Sequence, residues 1–395
     1  MDKMQIPMSS PDLTELERQA VLSVLNTPVL SMGAEIRKFE RSFLDLTGAK
    51  HAIGVNSGTA GLHLCVRAAG IGPGDVVLTT PFSFVASTNV LLFENSVPVF
   101  VDVDPRSGNL DPLQVVEAAR DLTAGGERAQ KWLSRKGSAA RRALKAILGV
   151  DVFGQPADWD PIQKTANEFG LKVIEDSCEA LGAEYKGRKT GTLGDFGVFA
   201  FYPNKQITTG EGGIVVTNDA KSADLMRALR NQGRAPGDTW LSHTYLGYNY
   251  RLDEMSAALG AAQMLRLEKL LRKREQVAAW YGERLAEIQG VEVPVVESFT
   301  TRMSWFVYVV RFAPTLDRDD LAKRLEMRGV PVRPYFLPIH LQPYMVERFG
   351  YRPGDFPVTE DLGRRGLALP FSGVMTEAQV DFVCKAIQAE LGSSR

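Results

Sequence analysis

Cysteine is scarce in this chain: Cys65, Cys178 and Cys384 are its three cysteines. They lie far apart and form no CxxC pair, which argues against a zinc ribbon or a dithiol redox motif, so no metal site is expected and a reducing compartment fits. An excess of one charge is missing too. Lys and Arg number 46 against 47 Asp and Glu, a formal net charge of -1, whereas a protein that neutralises many phosphates needs surplus basic residues, so nucleic acid is not an expected partner. No apolar run approaches the length of a membrane span. The start, MDKMQIPMSSPDLTELERQ, carries early acids and lacks the apolar h-region of a signal peptide. A cytoplasmic protein without membrane contact is the expectation. Also absent is a GxGxxG between an early strand and helix, which counts against a nicotinamide-dependent oxidoreductase.

What is present is apolar residue in quantity. With 44% hydrophobic residues in 395, the chain can bury one large core and a smaller one. From about Thr59 to Asn218 helical periodicity alternates with short apolar runs, the rhythm of an α/β fold. TAGLHLCVRAAG, SFVASTNVLLFEN, DPLQVVEAAR and DPIQKTANEFG read as helices, and DVVLTT, PVFVDVD, ALKAILGVDVFG and LKVIEDS as strands. Val and Ile run continuously in these strands, which predicts burial on both faces and a mostly parallel central sheet. Ligands of such sheets sit at the strand C-terminal ends. A long, one-sidedly charged helical stretch through EMSAALGAAQMLRLEKLLRKREQVAAWYGERLAEI leads to a smaller α+β domain with the strand SWFVYVVRF, the helix DRDDLAKRLEMRG, the irregular PVRPYFLPIHLQP and a C-terminal helix in TEAQVDFVCKAIQAELG. The boundary is expected near residue 260: 1–260 forms the large domain, its N-terminal segment a candidate to pack on the small one, and 261–395 the small domain. The segment DLTAGGERAQKWLSRKGSAARRAL fits this rhythm badly. Its Lys131, Arg135, Lys136, Arg141 and Arg142 read either as a solvated insertion or as a basic flap that meets a phosphate-bearing substrate.

The densest chemistry lies in VIEDSCEALGAEYKGRKTGTLGDFGVFAFYPNKQITTGEGGIVVTN. Asp176 ends a strand and Lys205 stands between two further strand candidates, followed by Gly210, Gly212 and Gly213, which admit a close ligand. Pyridoxal 5'-phosphate (PLP) chemistry uses such a pair: a lysine that holds the cofactor as an imine and a carboxylate that keeps the pyridine nitrogen protonated. The pyridinium would offset the desolvation of the carboxylate that faces it. In NSGTAGLHL, Gly58 and Thr59 open a helix whose free N–H groups can hold a phosphate. Phe84 in TTPFSFVAS reads on spacing alone as a core phenylalanine, with stacking on an aromatic ring as the alternative.

In the order SGTAGLHL, PFSFVAS, VFVDVD, VIEDSCEALGA, GDFGVFAFYPNKQITTGEGG, LGYNYRLDE and RPYFLPIHLQP, nearly the whole chain resembles the DegT/DnrJ/EryC1/StrS family of PLP-dependent nucleotide-sugar aminotransferases. The resemblance implies the fold-type I, aspartate aminotransferase-like architecture. It implies Lys205 as the Schiff-base lysine and proton shuttle, Asp176 at the pyridine nitrogen, Gly58 and Thr59 at the phosphate and Phe84 against the ring. It further implies a homodimer with shared active sites, in which Asn249 reaches the neighbouring subunit's cofactor phosphate. Two positions depart from the family pattern. Ala200 stands where many relatives carry a phosphate-binding serine, leaving Tyr202 or Asn204 to compensate. Glu179 stands where many have glutamine at the cofactor's phenolic oxygen, so its carboxyl must either hold a proton or point elsewhere.

A related branch replaces the lysine by histidine and dehydrates its substrate, and Lys205 sets this chain apart from it. The TTGEGG ending resembles members that aminate C4 of a 4-keto-6-deoxy sugar nucleotide. The expected reaction is thus a ping-pong transamination from an amino acid, L-glutamate in the first place, to a keto-sugar nucleotide; a PLP-binding regulator or sensor without turnover is the alternative. Arg251, Tyr335 and His340 are the candidate sugar-nucleotide contacts, with a purely structural histidine as the alternative for His340.

Overall fold

The computed structural model of the protein describes residues 5–136 and 143–392. Its strands follow the chain as β1 (His51–Val55), β2 (Val76–Thr79), β3 (Val97–Phe100), β4 (Leu144–Val150), β5 (Lys172–Asp176), the short pair β6 (Glu184–Tyr185) and β7 (Arg188–Lys189), β8 (Phe196–Ala200), β9 (Gly213–Thr217), β10 (Val291–Glu292), β11 (Thr300–Arg302), β12 (Tyr308–Phe312) and β13 (Gly366–Leu369). Seven of them form one sheet in the order β1-β9-β8-β5-β4-β2-β3. The neighbours from β8 to β3 pair in parallel, and β9 runs antiparallel to both β8 and β1. The α/β fold with a mostly parallel sheet is therefore as the strand composition predicts.

Burial on both faces explains that composition. Val77, Leu148, Ile174 and Val198 pack with Leu62, Leu64 and Val66 of the helix Gly58–Ala68. Their strand neighbours Leu78, Ile147 and Val173 pack on the opposite face with Val115 of the helix Pro112–Ala124 and with Trp159 and Ile162 of the helix Trp159–Phe169. Strand side chains alternate between faces, so a sheet covered on both sides needs apolar residues at consecutive positions. Local caps start these helices. Ser57 Oγ accepts from Ala60 N–H, and Asp111 accepts from Leu113 N–H ahead of Pro112.

The charged stretch after residue 253 is not one continuous helix. It divides into Glu254–Met264 and Leu267–Leu285. The first, rich in Ala and Gly, lies in close contact with the N-terminal helices: a Cβ on Gly260 would stand 2.6 Å from the Phe39 ring. The second passes between two cores. Leu267, Leu270 and Leu271 pack with Phe199 and Phe201 beside the large sheet. Val277, Ala278, Tyr281 and Leu285 pack with Tyr308, Val310, Leu367, Val380, Val383 and Ile387, together with Ile6 from the chain's beginning. Here lie the three-stranded sheet β10-β12-β13 and the C-terminal helix Glu377–Gly392. A third small sheet, β11-β6-β7, joins the two regions.

In the basic insertion Lys131 is paired with Glu117 at 2.5 Å and Asp121 at 3.0 Å, and Arg135 with Asp355 through both terminal nitrogens at 2.5 and 2.8 Å. These charges are engaged by carboxylates of the chain itself. Arg141 and Arg142 lie outside the described residues.

The buried Asp102, just past β3, ties the C-terminal region to the parallel sheet. It accepts hydrogen bonds from Val358 N–H (3.0 Å), Thr359 N–H (3.0 Å) and Thr359 Oγ1 (2.8 Å), capping the helix Pro357–Arg365 across the fold. Asp102→Ala is expected to lower the unfolding free energy by about 1–3 kcal/mol. The change should appear as a lower denaturant midpoint at constant m-value; an unmoved midpoint would mean that this cap contributes nothing.

Candidate active site

Parallel strands deliver their following loops to one edge of the sheet, and the candidate residues collect there. Asp176 is the last residue of β5 and is buried. Its Oδ2 accepts from Ser87 Oγ at 2.7 Å and its Oδ1 from Cys178 N–H at 3.1 Å. Each oxygen retains a further lone pair for a cationic partner. Behind it, Asp151 and Glu175 are fully buried and share the hydroxyl of Ser177, at 2.7 and 3.0 Å. Burial pushes both carboxyls up, Asp151 to about 6. The Asp151 charge adds to the burial that raises Glu175.

The helix Gly58–Ala68 begins hard against this edge. A Cβ at position 58 would stand 2.6 Å from Ala200 Cβ and 2.9 Å from Cys178 Sγ, so only glycine lets the helix start approach the ends of β5 and β8 so closely. With Ser57 Oγ engaged by Ala60 N–H, the first-turn N–H groups of Gly58 and Thr59 remain to hold an anion. A carboxylate, an amine-bearing loop and an anion-binding helix start at one sheet edge are the donor set that PLP requires.

Lys205 lies in the loop between β8 and β9 with its side chain largely enclosed. Its Nζ stands 3.7 Å from Glu179 Oε1 and 3.7 Å from the centroid of the Phe306 ring. The other oxygen of Glu179 accepts from Phe153 N–H at 2.8 Å. Phe153 holds φ at 60°, a left-handed conformation costly for a bulky residue, and this turns its N–H toward Glu179. Gln206 Nε2 donates to Glu179 O (2.6 Å) and Ser304 O (2.9 Å), closing the ring of segments around the amine. Burial pushes the Glu179 carboxyl above its ordinary range, against the opposing pull of the Lys205 ammonium and the Phe153 N–H.

The other expected residues divide. Tyr335 stacks within an aromatic group with Phe153, Phe306 and Phe336, and the Glu179 charge nearby adds to the burial that raises its hydroxyl pKa. Phe84 is 61% exposed, which corrects the spacing-based expectation of a core residue. Asn249 is exposed, and its carbonyl accepts from Asn56 Nδ2 at 3.3 Å. Arg251 donates to Asn231 Oδ1 at 3.0 Å. Tyr202 is exposed, whereas Asn204 has a buried Oδ1 without a partner. His340 is not brought to the site: its side chain is 0% exposed, with Nε2 3.0 Å from Glu360 and Tyr351 and Phe356 against its ring. A group so enclosed is a core histidine, bonded to a carboxylate and not to backbone.

Four participants escaped the sequence argument. Ser87 lies within PFSFVAS, but nothing in the motif shows that its hydroxyl meets Asp176. Phe153 and Phe306 act through backbone conformation and ring placement, which spacing does not encode. Arg274 did leave a signal, because it interrupts the apolar stripe Leu270, Leu271, Val277, Ala278, Tyr281 of its helix.

The model of the DegT/DnrJ/EryC1/StrS aminotransferase family matches residues 11–388. The chain is 37% identical over 393 residues to a GDP-perosamine synthase of Caulobacter vibrioides, covering 99% of each chain. It is 34% identical to a pleiotropic regulatory protein of Geobacillus stearothermophilus, covering 97% of this chain and 98% of the other. Among solved structures, Helicobacter pylori PseC, an aminotransferase involved in the biosynthesis of pseudoaminic acid, superposes with a TM-score of 0.87 at 27% identity over 99% of this chain and 100% of that one.

The raised Glu179 carboxyl has a measurable sign. The folded protein keeps this proton to higher pH than the unfolded chain does, so its contribution to stability is present below the ordinary value of 4.5 and declines as pH rises through the folded value. In the cofactor-free protein, Glu179→Gln is expected to flatten the fall of the urea midpoint as pH rises above 4.5. Parallel wild-type and variant profiles would refute this.

Proposed function

The chain belongs to the DegT/DnrJ/EryC1/StrS aminotransferase family, and from that premise we propose that this PLP-dependent enzyme moves an amino group from L-glutamate to C4 of a 4-keto-6-deoxy sugar nucleotide by a ping-pong mechanism. The observation that carries the reading is the enclosed Lys205 amine, 3.7 Å from Glu179, at the strand edge that also presents Asp176 and the helix start at Gly58. A nucleotide-linked acceptor is supported by the relative named as a GDP-perosamine synthase, and amination at C4 by the resemblance of the TTGEGG ending.

When bound, PLP supplies a ring that accepts electrons from the carbon losing its proton. Lys205 Nζ would carry that proton between the substrate carbon that bears the nitrogen and the cofactor's C4' carbon on the other side of that nitrogen, in opposite directions in the two half-reactions. Asp176, held by Ser87 Oγ and Cys178 N–H, would face the pyridine nitrogen. Glu179, whose carboxyl burial pushes upward, would donate to the phenolic oxygen in its protonated form instead of repelling it. Gly58 and Thr59 N–H groups hold the phosphate in place of the hydroxyl missing at Ala200. Phe84, exposed in the single chain, would stack on the ring, and Tyr335 and Arg251 would contact the sugar nucleotide. Residues 1–260 act as the cofactor-binding domain and 261–395 as the smaller one.

The active unit is a homodimer in which Asn249 completes the neighbouring phosphate site. Exposed Trp240, Leu241 and Leu246 in the loop leading to Asn249 support an interface there. A second reading, a PLP-binding regulator without turnover, has the regulatory relative in its favour; steady-state amine transfer from glutamate to a keto-sugar nucleotide excludes it.

The decisive spectrum is that of the purified protein before and after L-glutamate. A visible cofactor band that glutamate discharges in wild type, with turnover reduced by about a thousandfold or more in Lys205→Ala, is expected; full activity in the variant would end the mechanism. Shared sites carry a separate expectation. Mixing Lys205→Ala with Asn249→Ala subunits should regain activity that neither has alone, because one of the two hybrid sites is then intact. No recovery would count against Asn249 acting across subunits.

A further inference from the structure

Arg274 lies in the helix Leu267–Leu285 and is only 4% exposed, yet among the described residues no carboxylate is one of its hydrogen-bond partners. Its guanidinium binds four main-chain carbonyls. Nη2 donates to Asn204 O (3.1 Å) and Lys205 O (2.6 Å), and Nη1 to Trp305 O (3.2 Å) and Phe306 O (3.1 Å). The guanidinium carbon stands 5.6 Å from the centre of the Phe371 ring. Enclosing a cation without a counter-charge costs free energy, and here burial alone pulls the arginine pKa down to about 10. An apolar side chain would fill such a position at less cost if filling were its whole purpose.

We propose that Arg274 is a positioning residue for the Lys205 amine: it clamps the peptide that carries Lys205 to the peptide that carries Phe306. This rests on Lys205 being the cofactor lysine, as proposed above. The two clamped peptides are those whose side chains meet at the amine, with Nζ 3.7 Å from the Phe306 ring. Gln206 joins the same two segments independently, through Ser304 O and Glu179 O. Release of either peptide displaces the amine from both Glu179 and the ring. Only a planar fork reaches both carbonyl pairs at once, and a lysine ammonium does not.

The test compares PLP-reconstituted wild type with Arg274→Lys and Arg274→Met, and with Phe306→Leu, which keeps the clamp and removes the ring. The readouts are the pH midpoint of the visible cofactor band without substrate, the single-turnover rate with L-glutamate, and amide exchange of residues 203–207 in the cofactor-free protein. All three variants are expected to displace the midpoint. Both Arg274 variants should also exchange faster at 203–207 and react about 10- to 100-fold more slowly, with glutamate affinity changed less than about threefold. In a further variant, Arg274→Ala, millimolar guanidinium should restore part of the lost rate. Arg274 variants that lose thermal stability but keep the wild-type midpoint and rate in their folded fraction would overturn the proposal and leave the reading of Lys205 intact. A wild type with no glutamate-responsive band would remove that reading and the proposal together.

Discussion

The approach of Lys205 Nζ to Glu179 in a nearly dry enclosure is the contact around which the rest of this molecule is arranged. An amine and a carboxyl withdrawn from water are each costly, and their mutual attraction repays that cost only if their geometry is held. Three neighbouring parallel strands hold it. Phe153 follows β4, Glu179 follows β5 and Lys205 follows β8, and these strands are adjacent in the sheet. Strand spacing of about 5 Å brings their loops within hydrogen-bonding reach of one another, so residues distant in the chain meet without a dedicated long-range device.

Much of the surrounding polarity is main chain. The Phe153 N–H meets Glu179, the Cys178 N–H meets Asp176, and the carbonyls of residues 204, 205, 305 and 306 surround Arg274. Such a site tolerates little backbone error, which accounts for a phenylalanine at positive φ and for a glycine at 58, where any Cβ would strike Ala200.

The large and small cores are coupled through polar contacts that run to the same edge. Asp102 caps a helix of the C-terminal region from the end of β3, and Arg274 reaches from the helix shared by both cores to the Lys205 loop. Movement between the two regions would therefore be felt at the amine. His340, although close in sequence to Tyr335, is held in its own aromatic cluster beside Glu360.

From the chain alone, the parallel sheet and its covering helices were legible, because burial on both faces and helix caps are written as local residue patterns, and Asp176 and Lys205 stood out as candidates. The resemblance of ordered motifs added the cofactor. What stayed illegible were relations between segments: Ser87 against Asp176, Phe306 beneath Lys205, Phe84 exposed where spacing suggested a core position, His340 sealed where a loop suggested a site. The helical stretch after residue 253 likewise breaks in two because its first half packs on the N-terminal helices and its second bridges two cores. Local periodicity determines which element a segment forms. Which side chain faces which is decided only by the crossing of strands and loops in three dimensions, where a shift of one residue or of a few ångströms exchanges a buried partner for open water.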